Sequence, residues 1–255
     1  MPLREVRLAQ ARAQIAALAS APASSGEVLA FGDARVDGRL PGGGLTLGCW
    51  HELAGEGLEL ETAAAPAAFA ACLARPMARR GEIVWVLRRD DLYAPGLAGL
   101  GFPAERLIQV CARDEAEALA VIEDALRTPG VWAVFGEAEG VGLVEGRRLQ
   151  LACERGSAAG FILRRRPYGG RPLRTAGSAA ATRWRIAAAP SEPAPGETGL
   201  GPPRWRVALE RCRGGWTGAW LMEAWEDQDA AHPFRVVAEL ADRGLAAEAP
   251  LRRAG

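Results

Sequence analysis

The sequence predicts an α/β fold in which a mostly parallel sheet is extended by antiparallel strands near the C-terminus. Through most of the chain, short apolar segments alternate with helical segments of about 10–15 residues, which is typical of parallel strands joined by crossover helices. One apolar segment, GEIVWVL at 81–87, is almost uninterrupted, as expected of a parallel strand buried on both faces. After residue 182, large apolar and polar residues alternate, which favours antiparallel strands.

The chain of 255 residues is predicted to have three parts. Residues 1–26 contain an amphipathic helix at 3–19 and a linker, SAPASSG, at 20–26. Residues 27–243 form the main domain, and residues 244–255 are predicted to be a flexible tail. A short helix ahead of a linker docks either on its own domain or on another chain, and the sequence leaves both open.

The main domain opens with a Pro/Gly-rich loop, and its first strands are expected at 49–55, 81–87, 106–112, 130–137 and 158–166. Helices are predicted between them at 62–80, 114–128 and 147–156, and a loop with a helix is predicted at 91–102. The helix at 114–128 is the clearest, because its apolar residues recur on one face at the helical period: Ala118, Leu119, Ile122, Ala125 and Leu126. The alternating strands follow at 182–190, 203–215 and 219–227, and the first two are separated by a flexible loop at 191–203.

The composition excludes several kinds of chemistry. All 31 basic residues are arginine, so a mechanism that needs a lysine ammonium group, such as a P-loop lysine or a Schiff base, is not available. The five cysteines form no CxxC pair and only two histidines are present, so neither a metal site nor a cofactor is predicted. The sequence contains neither a signal peptide nor an apolar run of about 18 residues, and a cytoplasmic location without a membrane contact is therefore expected.

A phosphate-binding loop of the form G-x-x-x-x-G-K-[ST] would lie where the strand at 49–55 meets the next helix. Gly55 and Thr62 occupy its first and last positions, but Leu60 replaces the second glycine and Glu61 replaces the lysine. Glu61 would repel phosphate by about 1–4 kcal/mol at about 4 Å, depending on the effective dielectric constant, where lysine would attract it. On spacing alone, an ordinary strand–helix turn explains 55–62 equally well.

A resemblance to a known family favours the degenerate P-loop. The run LPGGGLTLGCWHELAG at 40–55 resembles the ImuA family of bacterial RecA-like proteins, as do DLYAPGLAGLGFPAERLIQV at 91–110 and the pair TRWRI and PRWRVALERCRGG. The resemblance covers about residues 27–227. It implies a RecA-like P-loop NTPase core and a role beside ImuB, an inactive Y-family polymerase, in damage-induced mutagenesis.

The resemblance also implies that the residues needed for hydrolysis are replaced. RecA has a water-positioning glutamate just after the strand that corresponds to 83–87, and here Arg88 and Arg89 follow that strand. RecA ends its next core strand with a magnesium-linked aspartate, and here Gly136 stands at that place and Glu137 follows it. Catalysis is therefore not expected, although contact between Glu137 and a metal ion stays open.

Positive charge is concentrated in the second half of the chain, where residues 147–213 contain fourteen arginines and four glutamates. In RecA-like proteins, loops that correspond to 137–147 and 166–182 bind single-stranded DNA. The residues that could contact DNA or a partner protein are Arg164, Arg165, Arg166, Tyr168, Arg171, Arg174 and Arg183. Phosphate neutralisation and base stacking need such residues, but a solvated loop or a surface for an acidic protein would also contain them.

The aromatic residues of the two RWR triplets, Trp184 and Trp205, are predicted to pack in the core, with an exposed partner-binding patch as the alternative. Trp216, Trp220 and Trp225 carry the same ambiguity. His51 is expected to be a structural histidine with its ring hydrogen-bonded.

The function predicted from the resemblance is that of a non-catalytic accessory protein of translesion DNA synthesis. Its partners would be an ImuB-like Y-family polymerase homologue, and further RecA, a DnaE-type error-prone polymerase or single-stranded DNA. Two alternatives stay open, a SulA-like inhibitor of cell division and an ATPase with an unusual site.

Overall fold

The computed structural model describes residues 27–56, 64–156, 158–165, 178–193, 195–196, 198–224 and 232–240. The helix predicted at 3–19, the linker at 20–26 and the tail at 244–255 lie outside these residues.

The described chain alternates between strands and helices as predicted. The strands are β1 Val28–Leu29, β2 Leu45–Thr46, β3 Trp50–Gly55, β4 Glu82–Leu87, β5 Leu107–Cys111, β6 Val131–Ala138, β7 Ala159–Arg164, β8 Thr182–Ala189, β9 Arg204–Cys212, β10 Gly218–Ala224 and β11 Phe234–Glu239. The helices are α1 Ala34–Asp37, α2 Ala64–Ala78, α3 Ala94–Ala98, α4 Glu115–Arg127 and α5 Leu143–Gly156. Two short 3₁₀ turns lie at Pro41–Gly43 and Ala104–Arg106.

Nine of the strands form one sheet in the order β11-β10-β9-β8-β3-β7-β6-β4-β5. The six strands from β8 to β5 are parallel, and β9, β10 and β11 continue the sheet in antiparallel fashion. The prediction for 182–190 was wrong in one respect, because β8 is antiparallel only to β9 and pairs in parallel with β3 on its other side. Strand β11 was not predicted from the sequence.

The sheet is covered on two faces that have separate cores. On the first, the α2 face, the helix α2 packs with the tryptophans of the antiparallel strands, and the ring of Phe69 stacks on that of Phe234 at 4.4 Å. Trp184, Trp205 and Trp220 are almost fully buried there, which confirms core packing for all three. Trp216 is 72% exposed, and Trp225 lies outside the described residues.

On the second, the α4–α5 face, the helices α4 and α5 pack over the middle of the sheet. Asp114 precedes helix α4 as its N-cap, and its carboxylate accepts a hydrogen bond of 2.8 Å from the amide of Glu117. The buried residues of α4 include Ala118, Ile122 and Leu126, which are spaced by four and form the predicted stripe. Within the described residues, no helix is long and apolar enough to cross a membrane.

Candidate functional site

The strand–helix junction after β3 is the position at which a P-loop protein has its phosphate-binding loop. Gly55 ends β3, which has β7 and β8 as parallel neighbours, and α2 begins at Ala64. Nucleotides bind at this carboxyl edge of parallel strands in α/β folds. Leu60, Glu61 and Thr62 lie outside the described residues. At the start of the junction, Glu56 forms an ion pair of 3.2 Å with Arg206.

The same edge of the sheet carries a buried ion pair at the end of β6. The side chain of Glu137 is 1% exposed, and its Oε1 accepts a hydrogen bond of 2.5 Å from Arg165, the residue after β7. Its Oε2 accepts one of 3.1 Å from the backbone N–H of Arg88. Both carboxylate oxygens are thus bound by donors of the protein itself.

Arg165 also bridges Glu137 to a second carboxylate. Two of its nitrogens donate to the two oxygens of Asp91 at 2.9 Å each, in the bidentate geometry that favours arginine over lysine. Burial raises the pKa of Glu137, and Arg165 and the backbone of Arg88 oppose that rise. The hydrogen bond from Arg165 lowers the pKa of Asp91. The surroundings therefore raise the pKa of Glu137 and lower the pKa of Asp91.

Arg88 extends this network towards α4. Its guanidinium donates to Glu115 at 2.5 Å, and the other oxygen of Glu115 accepts a hydrogen bond of 2.8 Å from the backbone of Glu139. Arg88 thus joins β4, α4 and the end of β6. We call Arg88, Asp91, Glu115, Glu137 and Arg165 the edge network.

Gly136 has a packing reason for its identity. A Cβ atom built on Gly136 would lie 2.1 Å from Cδ1 of Ile122 and 2.5 Å from its Cγ1, so a side chain at this position requires the end of the Ile122 side chain to move. An aspartate there would need the same rearrangement.

The arginines predicted to contact DNA or a partner have different surroundings. Arg164 donates a hydrogen bond of 3.3 Å to the carbonyl of Glu139, and Arg165 belongs to the edge network. The Nε of Arg183 donates to the buried Glu52 at 2.7 Å. The other predicted residues lie outside the described part of the chain: Arg166, Tyr168, Arg171 and Arg174.

His51 is a fully buried structural histidine, as predicted. Its Nε2 lies 2.9 Å from the carbonyl oxygen of Thr46, and its Nδ1 lies 2.8 Å from the hydroxyl of Thr182. Burial lowers its pKa to about 4, so the ring is neutral near pH 7.

Sequence reasoning missed Asp91 and Glu115 as members of the edge network. Both lie within four residues after a parallel strand, Asp91 after β4 and Glu115 after β5. That position is the available signal, because side chains just beyond the carboxyl ends of parallel strands meet at one edge of the sheet.

The comparisons with known proteins give one strong sequence relative. Protein ImuA of Caulobacter vibrioides, in two strains, is 59% identical to this chain over 234 residues, which is 89% of this chain and 96% of the relative. No family model matches the chain.

Among solved structures, the RadB recombinase is similar over 81% of this chain and 98% of its own, with a TM-score of 0.52 and 16% identity. That likeness supports the RecA-like fold predicted from the sequence. SulA from Pseudomonas aeruginosa matches 46% of this chain with a TM-score of 0.40 and 22% identity.

Proposed function

Because this chain belongs to the ImuA family, we propose that it is a non-catalytic accessory protein of damage-induced translesion DNA synthesis, which acts in the cytoplasm by binding an ImuB-like polymerase homologue. RecA, a DnaE-type error-prone polymerase and single-stranded DNA are further partners under this proposal. No cofactor takes part in it.

The observation that supports a non-catalytic role is the edge network. A nucleotide-hydrolysing site needs a carboxylate free to hold Mg²⁺ and a polar side chain free to orient the attacking water. Here the buried carboxylate of Glu137 has both oxygens bound by Arg165 and the backbone of Arg88. The guanidinium groups of Arg88 and Arg165 lie at this edge, and their positive charge opposes a metal ion there.

The charge of the junction supports the same conclusion. Glu56, Glu59 and Glu61 fall within seven residues of Gly55, and the chain has no lysine to offset them. A triphosphate would therefore meet negative charge at the turn where P-loop proteins supply an ammonium group.

Calorimetry with ATP and Mg²⁺ tests the non-catalytic role. We expect no saturable heat of binding at millimolar ATP and no release of phosphate above that of a buffer blank. Saturable binding together with turnover that disappears in Glu61→Ala would replace the accessory role by an ATPase with an unusual site.

Co-purification tests the partner. The untagged chain is expressed with a tagged ImuB-like homologue from the same genome, and in parallel with tagged FtsZ. We expect stoichiometric recovery with the first and none with the second. Recovery with FtsZ alone would favour the SulA-like inhibitor of cell division instead.

A further inference from the structure

Three arginines meet on the α4–α5 face, at the end of the sheet where β8 begins and β9 ends. Arg183 on β8 and Arg211 on β9 are directly opposite each other in the antiparallel ladder. Arg213 follows at the turn after β9. We call Arg183, Arg211 and Arg213 the arginine cluster. It lies at the opposite edge of the sheet from the junction after β3.

A shift in strand register creates the arginine pair. Trp184 faces Leu209, but Arg183 faces Arg211, so one extra residue, Glu210, is inserted in β9 between the two pairs. Without the shift, Arg183 would face a glutamate. Like charges directly opposite in a ladder are destabilising, so the free protein carries an electrostatic cost at this point.

Too few carboxylates surround the cluster to neutralise it. Glu52, which is buried, pairs with Arg183 at 2.7 Å, and its other oxygen accepts a hydrogen bond of 2.8 Å from Ser178. Glu210 is bound elsewhere, since it pairs with Arg185 at 2.5 Å. In the described part of the chain, neither Arg211 nor Arg213 forms an ion pair with a carboxylate.

Backbone carbonyls hold the two remaining guanidinium groups in place. Arg211 donates to the carbonyl of Ser178, and Arg213 donates to that of Ala179 at 2.5 Å. A carbonyl orients a guanidinium but leaves its charge uncompensated. Burial and the charges of Arg213 and Arg183 accordingly lower the pKa of Arg211. The sequence just before Ser178, residues 166–177, contains three arginines and neither aspartate nor glutamate.

We propose that the arginine cluster binds the phosphodiester backbone of single-stranded nucleic acid. Each guanidinium offers a planar fork of donors that matches phosphate oxygens. Arg211 at the end of β9 and Arg213 in the turn after it are two residues apart, so their Cα atoms are at most about 7 Å apart and the two side chains can contact successive anions of one backbone. An uninterrupted series of phosphates relieves the repulsion at all three arginines, whereas a single acidic side chain relieves it at one.

This inference rests on the proposed function, because it locates the DNA contact that an accessory protein of translesion synthesis would make. It adds Arg211 and Arg213 to the residues considered from the sequence. It also gives Arg183 a phosphate to bind beside its ion pair with Glu52.

The test measures binding of a fluorescent thymidine 20-mer by fluorescence anisotropy between 50 and 300 mM NaCl (about the range over which phosphate contacts are lost). In the variant R211Q/R213Q, the amides can still donate to the backbone carbonyls while both charges are removed. We expect affinity at about 100 mM salt to fall about 10–30-fold, and the slope of log K against log salt to fall by about 1.4. The matched control is R106Q/R113Q, which removes two exposed arginines on either side of β5, the outermost strand of the sheet. This variant should bind the oligonucleotide as the parent does.

Unchanged affinity and slope in R211Q/R213Q would overturn the proposal. Binding of a polyglutamate peptide, with no binding of the oligonucleotide, would overturn it in favour of an acidic protein partner. If the double variant does not fold, as judged by circular dichroism, R213Q alone should lower the slope by about 0.7, and an unchanged slope there counts equally against the proposal.

The failure of this proposal can be told from the failure of the proposed function. R211Q/R213Q should still co-purify with the ImuB-like homologue. If the parent protein binds the oligonucleotide but does not co-purify, the accessory role is wrong and the cluster remains a nucleic-acid site.

Discussion

His51 in β3 links β2 and β8 through a series of hydrogen bonds. Trp184 donates to the hydroxyl oxygen of Thr182 at 2.7 Å, and that hydroxyl lies 2.8 Å from Nδ1 of His51. Because Nε2 faces the carbonyl oxygen of Thr46, it must donate, which leaves Nδ1 to accept from Thr182. The neutral ring satisfies every partner, and a protonated ring would set a second N–H against the hydroxyl hydrogen of Thr182.

This arrangement predicts a stability that depends on pH below neutrality. The pKa of His51 is lowered from 6.5 to about 4 in the folded protein, so the unfolded chain takes up the proton first as the pH falls. The contribution is therefore present above pH 6.5 and is lost between pH 6.5 and about 4, by about 3 kcal/mol in total. Urea unfolding at a series of pH values measures it.

His51→Gln should be less stable at pH 7 and should lose the histidine part of the decline below pH 6.5. The control is the exposed His232→Gln, which should decline as the parent does. A parallel decline in His51→Gln and the parent would show that other groups cause it.

Glu137 provides a second prediction for a single residue. Glu137→Gln keeps the shape of the side chain but removes the charge that Arg165 faces inside the protein. Asp91 still pairs with Arg165, so we expect the free energy of unfolding to fall by about 1.5–3 kcal/mol rather than by more. Glu117→Gln breaks a pair whose arginine is 85% exposed and should cost clearly less than Glu137→Gln. Equal costs in the two variants would contradict the buried role of Glu137.

The packing of α4 on β6 gives a prediction for two elements together. Gly136→Ala places a methyl group where Ile122 now lies, so we expect a loss of about 1–3 kcal/mol in the free energy of unfolding. In the Ile122→Ala background the same substitution should cost less, because the space is then vacant. A double-mutant cycle measures the coupling between the two residues. Additive costs would mean that Gly136 is required for another reason.

The elements also show what the sequence could predict. The helix α4 and the strand β4 were predictable because each has its own apolar pattern, at the helical period in one and continuous in the other. The parallel pairing of β8 with β3 was not predictable. Alternation of apolar and polar residues indicates a strand, but it does not indicate whether the neighbouring strand is parallel or antiparallel. β11 was missed because only Phe234 and Val236 mark its buried face.

The candidate site was predictable in part for the same reason. Its position at the end of β3 follows from local sequence, as does the hypothesis of a degenerate P-loop. The contacts of the edge network do not, because Arg165 and Asp91 are 74 residues apart and meet only when β7 and β4 enter one sheet. The facing pair of Arg183 and Arg211 depends on a register shift that the sequence does not specify.

Across the whole molecule, the two edges of the sheet differ in how their charges are balanced. At the carboxyl edge of the parallel strands, arginines and carboxylates neutralise each other inside the protein. At the other edge, the arginine cluster has more positive charge than its carboxylates offset. This division fits the proposed role of binding DNA without hydrolysing nucleotide, because paired charges fill the first edge and unpaired positive charge at the second attracts a polyanion.

The division predicts that repairing the P-loop motif alone will not produce an ATPase. Leu60→Gly with Glu61→Lys restores the glycine and the lysine of the motif beside Gly55 and Thr62. We expect weak nucleotide binding at most and no turnover, because both oxygens of Glu137 are already bound, by Arg165 and by the backbone N–H of Arg88. Calorimetry and phosphate release measure the two properties separately. Glu59→Lys makes the same charge change as Glu61→Lys two residues earlier and shows how much of any binding is charge alone. Steady turnover in the repaired variant would mean that the edge network rearranges when nucleotide binds, and that the loop residues alone keep this chain from hydrolysing ATP.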